Sequence, residues 1–65
     1  MGKTEYSDFN DAIIAAHALA KKAGYAFAVK WPLGHSTVEY PSKPMLRNRD
    51  MRVIECRADG SEVFA

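Results

Sequence analysis

One cysteine, Cys56, and two histidines, His17 and His35, are the side chains of this 65-residue chain best suited to act as nucleophile, general base or soft metal ligand at neutral pH. A Cys–His couple works only in a pocket that desolvates it, with a third group to orient the base. No local motif supplies these. Cys56 falls in an alternating apolar run, where a free cysteine behaves as a small core residue, and His17 falls inside a helical pattern. Structural zinc asks for four ligands at short internal spacings, whereas 17 and 20 residues separate His17, His35 and Cys56, so carboxylates or a second chain would have to complete a site. The four glycines are scattered and form no phosphate-binding loop. The expectation is therefore a protein that is not an enzyme, with no catalytic residues, no metal and no cofactor.

Two other groupings carry more information. Trp31, Leu33, His35, Tyr40, Met45 and Leu46 crowd the segment 31–49 together with Pro32, Pro41 and Pro44. Trp, Tyr, Met and Arg are the types enriched at the centres of protein interfaces, and prolines lower the entropy lost when a loop is ordered by a partner. In the same segment "KPMLRNRDMR" gathers Lys43, Arg47, Arg49 and Arg52 with only Asp50 opposing. With Lys30 these form a basic patch able to meet phosphates, and nearby aromatics could stack on bases.

Composition sets the frame for both. A chain this short buries only about 60% of its unfolded surface, so a deep pocket is not expected. With 48% hydrophobic and 26% charged residues it is too apolar for a disordered tail, and a net charge of +1 gives no overall field toward nucleic acid or anionic lipid. A single cysteine excludes an internal disulfide. Apolar runs are too short to span a bilayer and "MGKTEYSDFN" lacks a signal core, which leads to the expectation of a cytoplasmic protein without a membrane partner.

The elements that must position these residues are legible from period and punctuation. Phe9, Ala12, Ile13, Ala16, Leu19, Ala20 and Ala23 recur at helical spacing, with Ser7 or Asp8 as cap, Lys21 and Lys22 in the last turn and Gly24 as terminator, which predicts a helix over 8–23. From Tyr25 the period becomes two. Tyr25, Phe27, Val29 and Trp31 form a large face expected to lie on the helix, opposite Ala26, Ala28 and Lys30, and Pro32 ends the strand. "HSTVEY" at 35–40 alternates weakly and can pair with 25–31. "RDMRVIECRA" is a strand with apolar residues on both parities, so its buried face is open. Asp59-Gly60 suits a two-residue hairpin turn into "SEVFA", an edge strand at 61–65 available to a second copy. Residues 1–6 are expected to be flexible.

"FNDAIIAAHALAKKAGYAFAVK" followed by "RVIECRADGS" resembles the opening of the far-red-impaired-response-type DNA-binding domain of the WRKY–GCM superfamily. That resemblance covers roughly half of the chain. It implies Phe9 and Tyr25 in the core, Lys30 on a DNA-facing strand and Cys56 as a first zinc ligand. No Cys or His follows Cys56, so it further implies a metal-free derivative or a fragment.

The reading as a whole is one α+β domain over 1–65, an N-terminal helix on a mostly antiparallel sheet of three to four strands, with 32–49 as a long loop. Its expected function is non-catalytic capture of a protein partner through 31–49, as in small inhibitors from phage or mobile elements. The alternative is nucleic-acid binding through Lys30, Lys43, Arg47, Arg49 and Arg52.

Overall fold

The computed structural model describes residues 4–64 as a single helix laid across one five-stranded antiparallel sheet. In chain order these are β1 (Thr4–Tyr6), α1 (Phe9–Ala23), β2 (Tyr25–Lys30), β3 (Ser36–Glu39), β4 (Arg52–Arg57) and β5 (Glu62–Phe64). The strands lie in the order β1-β3-β2-β4-β5, which makes β2 central and leaves β1 and β5 as edges. The α+β class is as expected, with more strands than the three to four anticipated. The additional one is β1, which pairs with β3 through Glu5 opposite Thr37. Part of the expected flexible leader is thus a strand, while Met1–Lys3 lie outside the described residues.

α1 begins and ends where its punctuation requires. The Asn10 N–H donates to the Asp8 carboxylate at 2.9 Å, and Gly24 takes φ +102°, the left-handed cap that a Cβ would disfavour, while its N–H donates to the Ala20 carbonyl. Asp11 at the first turn and Lys21 and Lys22 at the last suit the helix dipole.

The sheet has two apolar faces, and the helix covers the one made of small residues. Ala12, Ala16 and Ala20 of α1 pack on Ala26 and Ala28 of β2 and Ile54 and Cys56 of β4, with Phe9, Ile13, Leu19, Tyr6 and Val38 at the margins. Methyl-sized side chains on both partners let the helix backbone approach the sheet closely. The expectation that the large face of β2 would meet the helix is therefore reversed. Phe27 and Val29, flanked by Tyr25 and Trp31, form a second cluster with Met51 and Val53 on the other face. β4 carries apolar residues on both parities because both of its faces are buried.

On the second face the packing from outside the regular strands comes from irregular chain, which contributes Met51 to the cluster. Ser36–Glu39 forms the strand that "HSTVEY" allowed for, pairing with β2 through Ala28 opposite Val38, so the long loop contracts to 40–51. This segment leaves the sheet at a cis Tyr40–Pro41 bond, where the Tyr25 hydroxyl donates to the Pro41 carbonyl at 3.2 Å and the Tyr25 and Tyr40 rings lie 5.0 Å apart. It returns through Met51, which is buried and whose sulfur accepts from the Arg47 N–H.

Two hairpins share one turn. Between β2 and β3, the Gly34 N–H donates to the Trp31 carbonyl and the Trp31 N–H to that of His35; between β4 and β5, Gly60 donates to Arg57 and Arg57 to Ser61. Gly34 and Gly60 have φ of +93° and +90°, and no non-glycine residue has positive φ among the described residues. Each is thus a three-residue loop in which a turn is followed by a left-handed glycine, instead of the two-residue turn expected at Asp59-Gly60.

Candidate functional site

The outer face of the sheet, opposite α1, gathers most of the aromatic set. Alternation along β2 sends Trp31 to that side, and the turn at Gly34 brings His35 back beside it, so that the two rings stack 6.1 Å apart and 13° from parallel. The indole N–H donates to Thr37 Oγ1 at 2.9 Å, and the Thr37 hydroxyl donates to Glu39 at 3.2 Å. These bonds fix the Trp31 ring. Trp31, His35, Thr37, Glu5 and Arg47 line an open depression of about 530 Å³. Its floor is aromatic and its walls carry one carboxylate and one guanidinium, so it can take an apolar group flanked by charge.

Several of the exposed apolar residues belong to the expected loop. Leu33 is 91% exposed, Met45 78%, Leu46 46% and Tyr40 43%. Leu33 sits in the Trp31–His35 turn, and Met45 and Leu46 lead directly into Arg47. Tyr40 lies apart from them, past the far end of β3 against Tyr25. Of the six proposed partner-binding residues, Trp31 and His35 stack at one end of the outer face and Tyr40 packs on Tyr25 at the other, while Leu33, Met45 and Leu46 stand exposed in the turn and the loop.

The basic set is divided. Lys30 and Arg52 face each other across β2 and β4 with the parity of Ala28 and Ile54, which is the helix side. The Arg52 guanidinium donates to the carbonyls of Arg49 and Met51. Arg47 belongs to the opposite face, in the Trp31 depression, and Lys43 and Arg49 lie in the exposed segment between. Five cations close in sequence therefore do not share one face of the sheet.

Three residues from separate elements meet on the helix side, a grouping that spacing along the chain did not reveal. His17 of α1 and Glu62 of β5 lie with Nε2 and Oε2 2.8 Å apart, and Cys56 stands opposite Glu62 in the β4–β5 pair. The ligand atoms of His17, Cys56 and Glu62 are all within 4.8 Å of one another. Burial first, and the nearby Glu62 carboxylate second, push the Cys56 thiol up to about 11. A thiol so shifted is protonated at neutral pH and is not an activated nucleophile.

No protein-family model, curated protein or solved structure matches the chain. Among the described residues, no helix is long and apolar enough to cross a membrane.

Proposed function

We propose that the protein is a non-catalytic binding module that holds a protein partner on the Trp31 end of its outer sheet face. The two hairpins carry the reading. At the position where the Arg57–Ser61 turn has Asp59, whose carboxylate accepts from the Ser61 N–H and hydroxyl, the geometrically equivalent Trp31–His35 turn has Leu33. A leucine contributes no turn chemistry there and stands 91% exposed. It sits in the turn between Trp31 and His35, whose stacked rings line the depression with Arg47, and Trp and Arg are types enriched among interface hot spots. The partner expected is a segment with an apolar anchor for the depression and charges to meet Arg47 and Glu5.

Pull-down from a lysate of the source organism tests this with wild type, Trp31→Ala and Leu33→Asp in parallel, each checked by circular dichroism. Retention of one protein by wild type at moderate salt, lost in both folded variants, is the expected result. Undiminished capture by both variants would refute the assignment. Salt-sensitive retention of a labelled single-stranded oligonucleotide, abolished by Arg47→Glu, would reassign the face to nucleic acid.

A further inference from the structure

We propose that His17, Cys56 and Glu62 form a zinc site, with three protein ligands and a fourth position open to solvent. The site lies on the helix side of the sheet and is independent of the docking face.

The donor set is the first argument. An imidazole nitrogen, a thiolate and a carboxylate are the three ligand types that zinc takes in proteins, and three protein ligands plus water is the pattern of its open sites. Distances are the second. With metal–ligand bonds of about 2.0–2.3 Å, tetrahedral geometry places ligand atoms roughly 3.3–3.6 Å apart. The His17–Glu62 pair at 2.8 Å must open by less than an ångström, and no pair has to close from beyond 4.8 Å. Side-chain rotation can supply both.

Placement is the third argument. The three ligands come from α1, β4 and β5, so their backbones are set by the helix packing and the β4–β5 register before any metal arrives. Cys56 is fully buried at the base, while the His17 and Glu62 side chains are 25% and 35% exposed and leave a path for the ion and room for a water. Charge is the fourth. Binding replaces the thiol proton by the metal and releases one proton to the buffer, after which a thiolate and a carboxylate together balance the dication. His17 ligates through Nε2 with its proton on Nδ1, exchanging its bond to Glu62 for coordination. The consequence for the fold is that the short edge strand β5 becomes clamped to α1 and β4.

The test is a titration of the reduced full chain with cobalt(II) alone, followed by displacement with zinc. One equivalent should give the intense visible bands of tetrahedral cobalt and a near-ultraviolet thiolate-to-cobalt band, both bleached by zinc. His17→Ala and Glu62→Gln, surface changes that leave the core intact, should each lower the affinity by roughly a hundredfold, since even residues behind the ligands are worth about 10–100-fold. Cys56→Ser should remove the thiolate band. If that variant does not fold, the other two decide. Absence of tetrahedral bands from folded wild type, or cobalt affinity unchanged in both His17→Ala and Glu62→Gln, would overturn the site.

Discussion

Phe27 and Ala28 are neighbours on β2, yet they belong to different kinds of interior. Ala28 lies under the helix in a layer of alanines, where the spacing between backbones is the constraint. Phe27 lies on the outer face among Val29, Met51 and Val53, where Met51 comes from a non-repetitive segment and filling volume is the constraint. A regular element imposes a separation to which side chains must conform. An irregular one conforms to the side chains. It follows that one face should resist growth and the other resist shrinkage.

The largest effect expected is at Phe27. Phe27→Ala removes a ring that is only 5% exposed and leaves a cavity, a change that costs about 3–5 kcal/mol. For a domain this small that is enough to unfold it, as loss of the far-ultraviolet dichroism signal would show. Phe27→Leu, which keeps most of the volume, should remain folded. A cooperative, wild-type-like melt for Phe27→Ala would mean that the 40–51 segment does not close the outer core.

Next is the opposite change one residue on. Ala28→Leu inserts bulk between the helix and the sheet and should cost about 1–3 kcal/mol by chemical denaturation, because the alanines of α1 cannot move away singly. Ala28→Gly should cost less. If Ala28→Leu were neutral while Phe27→Leu was severe, the assignment of the tight and adaptable faces would be inverted.

That contrast also explains what was legible in the chain. The helix boundaries were readable because capping is local: Asp8 and Gly24 act within one turn of themselves. The strands expected at 25–31 and 51–57 were readable from alternation, and the one at 35–40 alternated only weakly. Which face met the helix was not readable, since alternation fixes two faces without naming their cover, and the alanines of both elements make sense together only once they are paired. β1 has three residues, too few to show a period, and its strand character rests on pairing with β3. The aromatic residues of the outer face were identified from type and crowding. The His17–Cys56–Glu62 grouping was not, because 45 positions separate its ends and only the β4–β5 hairpin returns Glu62 to the helix.

A smaller effect is expected where the outer face ends. Gly34→Ala and Gly60→Ala force a Cβ into left-handed backbone, though neither Cβ would meet another atom within 4 Å. Each should therefore cost about 1–2 kcal/mol from backbone conformation alone, and the two should match because the turns match. Unequal losses in paired urea melts would show that one hairpin is held by something beyond its turn.

The smallest stability change should come from Leu33→Asp, and it separates the two roles of the outer face most cleanly. Asp59 shows what an aspartate does at this position: it accepts from the Ser61 side chain and N–H, and these bonds hold its carboxyl below the usual value of 3.8. An aspartate at 33 can accept from the His35 N–H in the same way. Because its carboxyl would titrate lower in the folded than in the unfolded chain, the added stability would be present at neutral pH and lost as the pH falls below about 4. Since Leu33 is almost wholly exposed, nothing is removed from the core, and melts at neutral pH should stay within about 0.5 kcal/mol of wild type. Partner capture should nevertheless disappear. A residue whose replacement leaves the fold unchanged and abolishes binding is placed there for the partner, whereas a loss of stability in step with a loss of capture would make Leu33 part of the cover that Phe27 requires.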